Sequence, residues 1–161
     1  MTAGGIDYQS LARSRANGMV NYIALLIALA RDTGRSAEDL AQWVQRPYEE
    51  LGLYAELARL PAEERLKLAA ERFATGRRLL YDEVDVTELA DRPGYRIRSL
   101  VWYADRQLET AALFGVAIEE IRSYAALLAT RQLSLQGIRA VVTPAGSYEI
   151  AELTPDDTEG A

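Results

Sequence analysis

The chain has 161 residues and a formal net charge of −6, with no cysteine, no histidine and Lys67 as its single lysine. Disulfides, thiol nucleophiles, imidazole acid–base catalysis and cysteine or histidine metal sites are excluded. A net negative chain is ill suited to neutralising a phosphate backbone, so nucleic acid is not an expected partner.

The length suits one domain. We place it over residues 6–153, with a flexible N-terminal tail over 1–5 and a disordered acidic tail over 154–161. The opening Met1-Thr-Ala-Gly-Gly-Ile6 lacks the basic and apolar regions of a signal peptide, so a cytoplasmic location is expected.

Tyr8, Leu11, Ala12, Arg15 and Met19 begin a helical pattern that runs into Met19–Ala30, a stretch apolar around its whole circumference apart from Asn21. About a dozen apolar residues are too few to cross a bilayer, so no membrane partner is expected. Such a helix has no side suited to water, which makes it the centre of the domain or the seam of a homodimer.

Thr33-Gly34 closes this helix, with the glycine at the left-handed C′ position. Ser36 caps a second helix, Asp39 completes its capping box, and Leu40, Trp43 and Val44 form the inner face. Pro47 is expected to kink or end it. Trp43, Tyr48, Leu51 and Tyr54 gather around that proline as a candidate dimer seam, because a patch of that size in water exceeds what monomers usually carry. Pro61 opens a third helix with Glu63 and Glu64 in its first turn, and Leu66, Ala69, Ala70, Phe73 and Arg77 share one side of it.

From Leu79 to Val86 the pattern shortens to alternation, and Tyr95–Tyr103 after the Asp91–Gly94 turn is the clearest strand. Its alternation puts Arg96, Arg98, Leu100 and Trp102 on one face. Asp105 is expected to cap a fourth helix ending at Phe114-Gly115, and Ile118–Gln136 is a fifth. Ile138–Val142 and Ser147–Leu153 then pair as a hairpin around Pro144-Ala-Gly146. The order predicts an α+β fold, about five helices packed on a small, mainly antiparallel sheet with a C-terminal β-hairpin.

In this layout, across residues 8–153, the chain resembles the small bacterial proteins grouped with L-2-amino-thiazoline-4-carboxylate hydrolase and, more distantly, the vinyl-reductase-type ligand-binding domain. The likeness lies in the helices, then Tyr95–Tyr103, then Phe114–Ile121 leading into a long helix and the Gly137–Leu153 hairpin. Both groups use cysteines that this chain lacks. The resemblance therefore implies a small-molecule pocket and no catalytic residue.

Three constellations invite a chemical reading. Ala24–Trp43 fits a helix-turn-helix template, but its second helix would offer Glu38 and Asp39 to phosphates, which favours an ordinary helical hairpin. Asp82, Glu83, Asp85 and Glu88 are ligands of the kind hard cations take, yet their spacing matches no calcium loop, so a solvated strand edge is expected and no metal. Arg96 and Arg98 with Trp102, Tyr103 and Tyr124 are the candidate ligand-binding set, guanidinium forks beside aromatic walls.

The function expected is a small-molecule-binding or regulatory domain, non-catalytic and without a cofactor, holding an apolar or aromatic anionic ligand. The alternatives are a cofactor-independent isomerase, cyclase or hydrolase using Asp, Glu or Tyr, and a pure assembly or helix-turn-helix module.

Overall fold

A computed structural model describes residues 7–104 and 108–156. These form six helices and four strands: α1 (Tyr8–Asp32), α2 (Ala37–Glu50), α3 (Ala55–Ala58), α4 (Ala62–Arg78), β1 (Val84–Glu88), β2 (Tyr95–Leu100), α5 (Glu109–Leu113), α6 (Ile118–Ser134), β3 (Ile138–Ala145) and β4 (Tyr148–Pro155). The fold is α+β. All strand pairs are antiparallel in the order β1-β2-β4-β3, and β3 and β4 form the C-terminal hairpin. No helix among the described residues is long and apolar enough to cross a membrane.

The helix boundaries follow local chemistry. The Asp7 carboxylate accepts from the N–H groups of Gln9 and Ser10 at the start of α1. At its end Gly34 takes φ +69°, and the Arg35 N–H donates to the Ala30 carbonyl at 2.7 Å, the six-to-one closure expected of a left-handed cap. The capping box of α2 is present: Asp39 N–H donates to Ser36 Oγ, and Ser36 N–H donates to Asp39 Oδ2. The helix does not stop at Pro47 but continues to Glu50. The missing N–H costs only one bond there, three residues from the end. The short α3 turn is an element that the periodicity did not indicate.

Three strand expectations need correcting. β2 ends at Leu100 and the chain turns through Val101–Ala104, so Trp102 and Tyr103 leave the alternation that the sequence carries through them. In the hairpin the turn lies at Gly146-Ser147, and Pro144 sits within β3. An edge strand tolerates proline because one of its sides donates to nothing. Thr154 and Pro155 belong to β4 rather than to a tail, and Asp156 N–H donates to the Gly137 carbonyl at 3.1 Å. The tail over 1–5, the Asp105 cap and the chain from 157 lie outside the described residues.

The sheet has one covered face. α4 and α6 pack on it, and α1 and α2 pack on the far side of α6. One apolar core, with Leu66, Ala70, Ala74, Ile97, Ile138 and Leu153, fills the space between α4 and the sheet. The other, with Val20, Ala24, Ile27, Ala41, Trp102, Ala111 and Ile121, fills the space among α1, α2, α5 and α6. Hence α6, not α1, is the central helix. Against its neighbours α1 buries Ala16, Val20, Ala24, Ile27 and Ala28, and it leaves Met19, Tyr22, Leu26 and Leu29 exposed. Composition shows that a helix is apolar all round; only the neighbouring elements decide which side is covered.

Candidate functional site

Where the two cores meet, α4 and α6 part to leave a cleft of about 310 Å³. The gap arises because small residues face it: Ala69 and Gly76 on α4, Ala125 and Ala129 on α6. A Cβ added at Gly76 would meet nothing within 4 Å, so the open space begins at its backbone. Leu128, Leu133 and Phe73 supply apolar wall, Ile23 of α1 and Tyr54 complete the lining, and Tyr81 and Tyr124 contribute buried phenols. The volume lies at the small end of the range that ligand pockets occupy.

The polar groups of the cleft are few and distinct. Arg77 lies in its wall with the guanidinium between two rings, 4.6 Å from the centroid of Phe73 and 4.7 Å from that of Tyr81. Arg77 Nη1 donates to Glu149 Oε1, and both side chains are buried. Glu149 reaches this position from β4, where it faces inward with Ala151 and Leu153, opposite Ser99 of β2. Arg72 is exposed and makes no ion pair with any described residue; its charge is felt at the Tyr54 hydroxyl. Gln136 lines the cleft almost fully buried: its Nε2 donates to the Gln132 carbonyl at 3.1 Å, whereas its Oε1 accepts from none of the described residues. A buried acceptor without a donor is unfavourable by about 1–3 kcal/mol, so such an atom is informative when it lies in a pocket wall.

Burial is the main cause that raises the pKa of Tyr54, Tyr81, Tyr103 and Tyr124 above the ordinary phenol value. For Tyr103 the neighbouring Tyr81 hydroxyl adds to the effect. At neutral pH these phenols are protonated. In that form each hydroxyl can donate a hydrogen bond.

The five residues of the sequence-derived ligand set do not converge. Arg96 and Arg98 project from the open face of the sheet: Arg96 donates to Glu152 at 2.7 and 3.0 Å, and Arg98 lies 3.6 Å from Asp85 and 3.5 Å from the Tyr148 ring centroid. Trp102 and Tyr103 lie behind the sheet's end, edge to face at 5.3 Å, with the Trp102 indole N–H donating to the Leu80 carbonyl at 2.7 Å. Of the five, Tyr124 alone lines the cleft. Arg77 and Glu149, which the sequence reading did not assign to a site, each carried a signal, since each is a charge on an otherwise apolar face. Their pairing across 72 positions of chain carried none.

The other constellations also resolve into local contacts. Asp82 pairs with Arg13, and Asp85 with Arg98, while no group of three or more acidic side chains among the described residues is placed to hold a metal. Trp43, which a helix-turn-helix would pack inside, is 60% exposed. In the expected seam Tyr48 and Tyr54 stack on each other at 6.0 Å and are half-buried, whereas Trp43 and Leu51 face water.

Fold and cleft together define an α+β domain with a mainly apolar interhelical pocket. The chain belongs to the family of the "Uncharacterized protein YxnB" of Bacillus subtilis (strain 168), with which it is 31% identical over 145 residues, covering 90% of this chain and 89% of that protein. No protein-family model matches the chain, and no solved structure matches it significantly.

Proposed function

We propose that the protein is a cytoplasmic small-molecule-binding or regulatory domain whose α4–α6 cleft holds an apolar or aromatic carboxylate. The observation that carries this reading is the make-up of the cleft: apolar walls, protonated phenols and, at the rim, the Arg72 guanidinium, which has no ion-pair partner among the described residues. Apolar walls give affinity to a hydrocarbon or aromatic body, and Arg72 and the phenols give orientation to an anionic head. The resemblance in layout to ligand-handling small bacterial proteins points the same way.

Titration calorimetry and thermal shift against a panel of aromatic and acyl carboxylates test it. At least one class is expected to bind and to raise the melting temperature, and Ala129→Trp, which fills the cleft from α6, is expected to abolish that binding. No binding across the panel, or binding unaffected by Ala129→Trp, would overturn the assignment.

One observation favours an enzyme as the second reading. Glu149 is a buried carboxylate whose charge is felt at Tyr81 and Tyr103, and such groups can move protons in a shaped cavity. It ranks second because Glu149 is tied to Arg77 and does not itself line the cleft. Turnover of a bound carboxylate, lost in Glu149→Gln while binding persists, would reverse the ranking.

A further inference from the structure

The outward side of α1 carries an unbroken seam. Tyr8, Leu11, Arg15, Gly18-Met19, Tyr22, Leu26 and Leu29 follow one another at spacings of three and four along the 25 residues of the helix, which spans about 37 Å. Tyr22 is 70% exposed, Leu29 60% and Met19 49%. From Ala16 to Ala30 the helix holds no charged residue at all. A solvent-facing helix normally carries charge on that side.

The seam is also palindromic about Gly18-Met19. Reversing the helix about that point brings Tyr8 opposite Leu29, Leu11 opposite Leu26 and Arg15 opposite Tyr22. We infer that α1 pairs antiparallel with α1 of a second copy, about a two-fold axis passing between Gly18 and Met19.

Three further observations fix the choice of occupant and orientation. A Cβ added at Gly18 would meet nothing within 4 Å, so the backbone is bare at the axis and two helices can approach closely there. Arg15 is exposed, with no ion pair among the described residues; antiparallel pairing sets it over the partner's Tyr22, whereas parallel pairing would set it against its own copy. Beside Leu26 and Leu29 a groove of about 620 Å³ runs to Leu40 and Trp43 of α2, open to receive the exposed ring of the partner's Tyr8.

Tyr8, Leu11, Met19, Tyr22, Leu26, Leu29 and Trp43 are all exposed, a contiguous apolar face rather than the scattered single residues of an ordinary monomer surface. Trp43 remains in the seam expected from sequence, and α1 replaces Tyr48 and Tyr54 as its main element.

Sedimentation across the micromolar range and directed crosslinking test the pairing. The wild-type chain is expected at twice 17.8 kDa, and Tyr22→Glu, at an exposed position, is expected to weaken association at least about tenfold while cooperative unfolding is retained. Because the chain has no cysteine, introduced thiols report geometry directly. Leu11→Cys mixed with Leu26→Cys is expected to form a disulfide-linked heterodimer, whereas either variant alone stays unlinked, its thiols about 22 Å apart across the axis. A monomer at every concentration, including one that sediments with anionic vesicles instead, would overturn the inference. So would self-crosslinking of Leu11→Cys, or a dimer that Tyr22→Glu leaves unchanged.

Discussion

β4 carries two glutamates three residues apart, and each meets an arginine, but on opposite faces of the sheet. Glu149 points inward to Arg77 with both side chains buried; Glu152 points outward to Arg96 and Arg92, whose side chains are half in water. The same chemical pair thus exists in two dielectric settings within one strand. In the outer pair the contact replaces hydration that remains close at hand, so it contributes little. In the inner pair neither charge has water to return to, so the partners are mutually indispensable even though the pair as a whole offsets only part of its own desolvation.

The largest expected effect follows from that difference. Glu149→Ala leaves the Arg77 guanidinium buried without a counter-charge and should lower stability by about 3–5 kcal/mol in urea unfolding. The double variant Arg77→Met, Glu149→Leu should recover most of the loss, because it removes both charges and keeps the volume. If Glu149→Ala costs less than about 1 kcal/mol, the inner pair behaves like the outer one and the contrast fails.

Next comes the phenol pair beside it. Tyr103→Phe removes a buried hydroxyl that interacts with Tyr81 and should cost about 1–2 kcal/mol. The raised pKa values give this pair a pH signature. A phenol that titrates higher in the folded than in the unfolded chain stabilises the fold fully below pH 10.0, the ordinary phenol value, and progressively less as pH climbs past it. Stability of the wild type should therefore fall above pH 10.0, and the fall should be shallower in Tyr103→Phe. Denaturant midpoints measured across that range decide it.

How much of this was legible in the sequence differs between the two faces. Caps, helix spans and the hairpin depend on neighbours in the chain, and Ser36 with Asp39, Gly34 and the Tyr95–Leu100 alternation were read correctly from local residue types. Alternation also puts Arg96 and Arg98 on one face of β2, but it runs on through Trp102 and Tyr103 while the backbone turns after Val101, so those rings are not brought to the arginines. The inner site depended on two elements meeting. Arg77 shares its helix side with Leu66, Ala69, Ala70 and Phe73, and Glu149 shares its strand face with Ala151 and Leu153, so each was a charge on an apolar face. Only the packing of α4 on the sheet shows that they cancel.

Arg72 stands between the two cases, an exposed arginine with no described ion-pair partner, five residues before Arg77 on α4. In the proposed function its charge is reserved for a ligand. Arg72→Gln should then weaken binding of a carboxylate by about tenfold, near 1.4 kcal/mol, and leave unfolding unchanged. The amide analogue of the same ligand should bind both forms alike. Equal loss for the amide would show that Arg72 shapes the cleft instead of meeting the charge.

The smallest effect belongs to the outer pair. The Arg96 hydrogen bond, with the charges of Arg96 and Arg92, holds the Glu152 carboxyl below its ordinary value of 4.5. A carboxylate depressed in the folded state adds stability that is present above the unfolded value and is lost as pH falls through the folded one. Its contribution at neutral pH should thus disappear below pH 4.5. With Glu152 reachable by water and both arginines half exposed, Glu152→Gln should cost no more than about 0.2–1 kcal/mol at neutral pH. The cost should shrink further in high salt, because exposed charges are screened within about 8 Å at physiological ionic strength. Salt should leave the loss in Glu149→Ala nearly untouched, since no counterion reaches a buried guanidinium. Running both variants through the same salt series therefore measures the contrast itself. Parallel salt dependence would mean that water reaches Arg77 through the cleft, and that the inner arginine, like Arg72, is open to an anionic ligand.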